Sequence, residues 1–401
     1  MMAREGRASR LCAVSFKPCW QDASGRWLSS GGFPLQMRAI GSLFDEMVLL
    51  IVRVEPRVEE AAGGIPLPER ARVVPLRSPV GHDARRKLSV AARLPYYLWK
   101  IGANIRDADV VHTPLPGDIP LLGMLMSLLA RKRTIVRYGG SWPTNSQTTA
   151  MSRFTKSCMR RFAGGRNVML ATGSGPELPA PGVRWIFSTA LSATELERVS
   201  PALDRGISAP PRLVYAGRLS PEKGVATLLR ALAELAREGF EPLPKLVLAG
   251  DGPERGRLQA LARELGVADR VDFAGQLSRD ALSRAFACAD LCVQPSLTEG
   301  FSKAWLDAMA HGLPVLATRV GAAAAVIGET GERGWLVPPG DAPALAGALR
   351  RVLAGPVEWR ALRARCREYV EGRTLEAWAG EIGEQCAAQW NWDFDDGRLR
   401  P

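Results

Sequence analysis

The chain reads as an α/β protein made of two doubly wound domains, and three observations carry that reading. Short apolar runs such as Lys245–Gly250, KLVLAG, alternate with amphipathic runs of helical length. The apolar runs are too evenly hydrophobic for half-exposed strands, which suits parallel strands covered on both faces. At 401 residues the chain has room for two domains of ordinary size.

The second half is the plainer one. A strand at 212–216, RLVYA, leads through Gly217-Arg218 and LSPEKG into the helix VATLLRALAELAREG. Strand 245–250 is followed by DGP and a helix, and strand 271–275 by a helix over 278–289. Strand 290–296 precedes a turn and helix, strand 314–318 follows, and GWLVPPG leads into a last helix at 341–354. In the first half, strands fall at 11–16, 47–54, 108–113, 133–140, 167–173 and 183–189, with a helix at 33–43. Leu191–Pro211 is polar and carries Pro201, Pro210 and Pro211, the composition of a linker. The expected domains are therefore 1–190, a linker 191–211, and 212–370. The tail 371–401 is helical to about Trp390 and is expected to pack back on the first domain.

Composition narrows the function. With 46% hydrophobic and 23% charged residues the chain matches a globular protein. No apolar run reaches the ~18 residues of a membrane span, and the longest, Ile119–Ala130, reads as a buried helix. The start, MMAREGRASRLCAVSF, reads as a first strand and not as a secretory signal. Seven scattered cysteines without a C-x-x-C pair suit reduced thiols in the cytoplasm. His82, His112 and His311 lie too far apart for a local metal motif, so neither metal nor resident cofactor is expected. The net charge is +12, and the whole excess falls in the first half. A one-sided basic domain suits an anionic partner such as a membrane surface.

The densest chemistry lies in Glu299–Val315, EGFSKAWLDAMAHGLPV. A Gly-Phe-Ser turn runs into a helix whose first amides are free to bind an anion. Glu299 stands before that turn and Asp307 two helical turns on, so both carboxylates can face one site. Carboxylates bind vicinal hydroxyls and amides bind phosphate, which describes a site for a phosphorylated sugar. Arg218 and Lys223 add a planar fork and a point charge on one loop, a pair suited to a diphosphate. Gly31-Gly32 after the first strand lets backbone approach a ligand. Taken singly, each has an ordinary explanation: a helix cap, a charged surface loop, a flexible turn.

Taken in order, SSGGFPLQ, YAGRLSPEKG, LVLAGDGPE, VDFAGQLS, ADLCVQPSLTEGFSKAWLDAMAHGLPVLAT and GWLVPPGD resemble the retaining glycosyltransferases of family 4, with the GT-B fold. The resemblance is dense over 212–354 and thin over 1–190. It implies two Rossmann-like domains facing a cleft, and sugar transfer from a nucleotide-sugar donor to a glycan or lipid-linked acceptor with retention. Arg218 and Lys223 match the cations that hold the donor diphosphate. Glu299 and Asp307 match the acidic pair, the first beside the transferred sugar and the second on the nucleotide ribose. Gly300, Phe301, Ser302 and Lys303 match the turn contacting phosphate and sugar. Gln276 and Leu277 match the loop beside the base, Gly217 the strand-end glycine, and Gly32 the first-domain loop over the donor. No Asp-x-Asp follows a first-domain strand, so transfer is expected to need no metal.

Two departures stand out. Asp307 is one methylene shorter than the glutamate the resemblance implies. VVHTPLPGD keeps His112, a catalytic candidate, but has Pro114 where a second histidine is expected. Two other functions share the architecture: a nucleotide-sugar 2-epimerase, and an inactive relative serving glycan assembly. Nucleic-acid binding is not expected. Three basic stretches with apolar partners point to an anionic membrane: Arg93–Lys100, RLPYYLWK; Arg131–Arg133; and Lys156–Phe162, KSCMRRF.

Overall fold

Strands buried on both faces need helices above and below them, and the chain supplies both in two separate units. The computed structural model describes residues 8–55, 64–81, 83–143, 148–201, 203–329 and 331–401. Unit 1 comprises Met1–Ala190 with Leu375–Pro401, and unit 2 comprises Leu191–Thr374.

In unit 1, among the described residues, a nine-stranded sheet is built around β1 (Arg10–Gln21). Beside it on one side run β3 (Glu46–Arg53) and then β5 (Ala71–Leu76), both parallel. On the other side run β6 (Val110–Leu115), β7 (Arg133–Tyr138), β8 (Asn167–Thr172) and β9 (Val183–Ile186), again parallel. β2 (Trp27–Ser29) pairs antiparallel with β1 and β4 (Ile65–Pro66) pairs antiparallel with β2, and these two and β5 were not expected from the sequence. One face packs on the helix Phe33–Gly41 and on the tail helix Leu375–Trp390. Met37, Ile40, Trp378, Ile382 and Cys386 meet there with no exposed surface. Burying each large side chain contributes about 1.5–3 kcal/mol, which is why the tail groups with this unit.

Among the described residues, unit 2 holds a six-stranded parallel sheet in the order β12-β11-β10-β13-β14-β15. The strands are β10 (Arg212–Ala216), β11 (Lys245–Ala249), β12 (Val271–Gly275), β13 (Leu291–Gln294), β14 (Val315–Thr318) and β15 (Gly334–Val337). Successive strands run outward from β10 to β12, then the chain returns and runs outward from β13 to β15. The order reverses between β10 and β13, and ligands of such sheets bind at the strand carboxyl ends there. The helix Val225–Arg237 shows why the faces are covered. Val225, Leu228, Leu229, Leu232 and Leu235 are buried while Arg230 and Arg237 stay in water.

The stretch 191–211, read as a linker, carries its own helix and groups with unit 2. Ser192 caps the helix Ala193–Arg198 in a capping box: its hydroxyl accepts from the Glu195 amide, and the Glu195 carboxylate accepts from the Ser192 amide.

Candidate functional site

The loops that follow β10 and β13 meet at the switch point of unit 2. After β10 the chain makes a single 3-10 turn at Pro221–Lys223 and then Gly224, whose φ is 64°. A side chain there would be strained by that φ and would collide with the Pro295 carbonyl of the next loop. The Leu297 amide donates to the Glu222 carbonyl at 2.8 Å, which ties the two loops together. Lys223 and Glu299 are thereby brought into direct ion pairing, both partly buried. A side chain at Gly321, φ 53°, would strike the carbonyls of Glu299 and Gly300, so a third loop, after β14, closes on the same turn.

The helix Lys303–Ala310 begins at Ser302, whose side chain makes no cap hydrogen bond. The Trp305 amide donates back to the Ser302 carbonyl at 3.3 Å, so the first turn is closed by backbone and not by a capping side chain. Phe301 is buried against Trp305, with ring centroids 5.8 Å apart, so that side chain anchors the turn and only backbone is offered at this position. Arg218 is exposed at the end of β10 beside Gly217, and its carbonyl accepts from the Tyr215 hydroxyl at 2.9 Å. Gln276 and Leu277 follow β12 half-buried, ahead of the helix Arg279–Cys288.

Asp307 is held by a residue that sequence reasoning missed. Arg279 donates from Nη1 to Asp307 at 3.3 Å and from Nε to Glu195 at 3.0 Å. Burial works against the Arg279 charge, but the Asp307 and Glu195 carboxylates outweigh it and hold its pKa above the usual arginine value. Burial likewise pushes the Glu195 carboxyl up, and the Arg279 guanidinium pulls it further down, to a net lowering. A cavity of about 320 Å³ opens beside this trio, also lined by Arg198, Ser283 and His311. A signal for Glu195 was present, because S-x-x-E at 192–195 spells a capping box. None marked Arg279, which follows its helix cap like any surface arginine.

The unit 1 candidates divide. Gly32 begins the helix Phe33–Gly41 without a side-chain cap. His112 lies inside β6 with no exposed surface. Its Nδ1–H donates to the Ile135 carbonyl at 3.0 Å, and Nε2 is buried without a partner among the described residues. Burial, with the Arg137 charge beside it, lowers the His112 pKa to about 3. In this placement His112 presents no surface to solvent. His82 lies outside the described residues. Among those described, no cluster of three or more His, Cys, Asp or Glu could hold a metal ion, and no helix is long and apolar enough to cross a membrane.

The sequence profile of the glycosyl transferases group 1 family matches residues 210–355, which span the whole unit 2 sheet. The chain is 31% identical over 274 residues to a GDP-mannose-dependent alpha-(1-6)-phosphatidylinositol monomannoside mannosyltransferase of Mycolicibacterium smegmatis, covering 62% of this chain and 67% of that one. It is 34% identical over 163 residues to an alpha-D-kanosaminyltransferase of Streptomyces kanamyceticus, covering 41% of this chain and only 42% of that relative's length. In fold it is similar to the sucrose-phosphate synthase of Thermosynechococcus elongatus, with a TM-score of 0.72 at 22% identity over 94% of this chain and 98% of that one. Two Rossmann-like units, the matched profile and a relative aligned over two thirds of its length lead to one family: the chain belongs to the glycosyl transferases of group 1, with the GT-B fold.

Proposed function

We propose that this chain transfers a hexose from a nucleotide-sugar donor to a glycan or lipid-linked acceptor, with retention and without a metal. The observation that carries the reading is the paired Lys223 and Glu299 at the switch point, beside an uncapped helix N-terminus. As the bond between the sugar and the diphosphate breaks, its electron pair leaves with the diphosphate. Arg218, Lys223 and the amides of the Gly300–Lys303 turn stabilise that charge. The sugar becomes oxocarbenium-like, and the Glu299 carboxylate holds it. The acceptor oxygen forms the new bond on the same face, and its proton passes to the departing phosphate oxygen. Lys223 and Glu299 satisfy each other in the free enzyme, so donor binding exchanges that ion pair for contacts with diphosphate and sugar. Gln276 and Leu277 border the base, Asp307 the ribose, and Gly217 allows close backbone approach. His112, buried and neutral, takes no step in this scheme.

The named relative uses GDP-mannose, which supports a nucleotide-sugar donor. A thermal-shift panel of nucleotide sugars tests it, because binding raises apparent stability by mass action. The hit is then assayed with and without acceptor. Turnover to an isomerised nucleotide sugar without acceptor would point to an epimerase instead.

The acceptor side adds a membrane. Trp99, Leu98, Leu94 and Leu88 are exposed on the helices Asp83–Ala92 and Leu94–Arg106, beside Lys87, Arg93 and Lys100. Lys100 stacks on Trp99 with its ammonium 4.9 Å from the ring centroid. Bases interleaved with exposed apolar side chains suit an anionic headgroup region, where a lipid-linked acceptor resides. In the other two stretches Arg131, Arg160, Arg161 and Phe162 are exposed as well, while some members of the three are held by the protein itself. Tyr97 is core, with its hydroxyl on the Arg77 carbonyl, and Lys132 and Lys156 are held by neighbouring carbonyls and by the Tyr138 ring respectively.

A further inference from the structure

Asp307 is shorter than the glutamate expected at its place, and the structure gives it support from two sides. Arg279 reaches Oδ1 through Nη1 at 3.3 Å, while Oδ2 accepts no hydrogen bond from the described residues. Arg279 is itself fixed at its far side, because Nε donates to Glu195 at 3.0 Å and Glu195 is locked to Ser192 by two donors at 3.0 and 3.1 Å. On the helix carrying Asp307, His311 Nδ1–H donates to the Asp307 carbonyl at 3.0 Å, and His311 Nε2 accepts from Ser283 at 2.8 Å. A carboxylate held by one oxygen on a planar fork has a set direction for the other.

We propose that Arg279 is a positioning residue for nucleotide recognition. It fixes the Asp307 carboxylate so that its open oxygen faces the ribose hydroxyls, and so makes good the missing methylene. The inference rests on the reading of Asp307 as the ribose carboxylate. Glu195 serves as the outer brace, so the chain Ser192–Glu195–Arg279–Asp307 runs from a helix cap to the ribose. Without Arg279, Asp307 and Glu195 would keep their charges with no cation between them, and Asp307 would turn freely among its rotamers. A purely structural Arg279 would leave ribose recognition intact wherever the protein still folds.

The experiment compares a ribonucleotide with its 2′-deoxy form on the full-length chain. Calorimetry uses whichever of UDP, GDP and ADP binds best, together with the matching 2′-deoxynucleoside diphosphate. Wild type is expected to prefer the ribo form by roughly 10-fold, the scale of one hydrogen bond to a charged group. Asp307→Asn and Arg279→Gln should both erase that preference while leaving affinity for the deoxy form nearly unchanged, which also shows that the site is folded. Arg279→Lys, which keeps the charge but not the fork, should restore it in part. If Arg279→Gln keeps the preference while Asp307→Asn loses it, the proposal fails and the ribose reading stands. Equal weakening of both forms in Arg279→Gln marks a structural arginine and also overturns it. If wild type shows no preference, or Asp307→Asn retains one, the ribose reading itself is wrong.

Discussion

Both units end their parallel strands in polar groups, yet they dispose of them in opposite ways. In unit 2 the charged residues stand after the strands, on loops or on the helices that follow, and pair with one another while keeping some solvent contact: Lys223 with Glu299, Arg279 with Asp307. In unit 1 the polar residues stand within the strands and point into the interior. His112 on β6 and Arg137 on β7 share a sheet face, where Arg137 donates to Gln36 at 3.1 Å and lies over the Trp378 ring at 5.6 Å. Arg137 has no ion pair among the described residues, and burial lowers its pKa to about 10. Charges on loops can be rearranged by a ligand at little structural cost. Charges within strands are bound up with folding. The comparison predicts that unit 2 substitutions damage chemistry and that those in the unit 1 interior damage stability.

The largest effect is expected at Glu299. Glu299→Gln should lower kcat by roughly 100- to 1000-fold, the range for removing one preorganised electrostatic contact. Nucleotide affinity should hold or rise slightly, because Lys223 loses its internal partner and is freed for the diphosphate. Single-turnover transfer beside nucleotide calorimetry checks this. Normal turnover would reduce Glu299 to a loop residue that pairs with a lysine.

Next come the cations. Lys223→Ala and Arg218→Ala should each weaken nucleotide binding by roughly 10- to 100-fold, as for loss of a charge-assisted hydrogen bond. The Lys223 change should also depress kcat, since it leaves Glu299 without its partner, whereas Arg218 is exposed and has no ion pair among the described residues to disrupt. Unchanged affinity in both would remove the diphosphate assignment and leave unit 2 with the same structural role for its charges as unit 1.

This contrast also explains what the sequence made legible. Strand-end loops in unit 2 must be glycine-rich for one loop to approach the next, as at Gly224 and Gly321, and their charges stand apart from apolar runs. Such a pattern can be read from spacing. The unit 2 strands are legible that way, and the same spacing singles out Glu299, Lys223 and Asp307 as candidates. Arg279 was not, because its partners Glu195 and Asp307 are far away in sequence and only folding joins them. The burial of His112 was hidden as well. A histidine in a short apolar strand can face either side, and only the packing of the helix Phe33–Gly41 and the tail helix shows which face is sealed.

A third prediction sets a stability effect in unit 1 against the catalytic ones. The His112 pKa is about 3 when folded and near the ordinary histidine value when unfolded. Between about pH 6.5 and pH 3 the unfolded chain therefore binds a proton that the folded chain refuses, so stability falls as pH falls. The slope is up to about 1.4 kcal/mol per pH unit for one group. His112→Asn can keep a donor near the Ile135 carbonyl and should flatten the acid limb of the stability curve by that amount, as read from urea unfolding at pH 7, 6 and 5. His311, also lowered by burial, adds a similar slope to both proteins and cancels in the difference. Equal slopes in the two proteins would mean that His112 titrates in contact with solvent, and its candidacy for a substrate role would return.

The smallest effect concerns the outer surface of unit 1, where exposed rather than buried groups are at work. Trp99 is 65% exposed and Leu88 72% exposed, so both can enter a headgroup layer without unfolding the helices that carry them. Each nearby base contributes about 1 kcal/mol at an anionic surface, and Trp99 adds its apolar burial. Together these give reversible binding that single substitutions should weaken only severalfold. Trp99→Ser combined with Lys100→Ser should reduce co-sedimentation with liposomes containing phosphatidylserine, and leave nucleotide affinity as in wild type. Salt separates the electrostatic share, since the screening length falls from about 10 Å at 0.1 M to about 3 Å at 1 M. Binding that is equal on neutral and anionic liposomes, or absent from both, would sink the membrane reading. The exposed tryptophan would then be ordinary surface, and a soluble glycan the better acceptor.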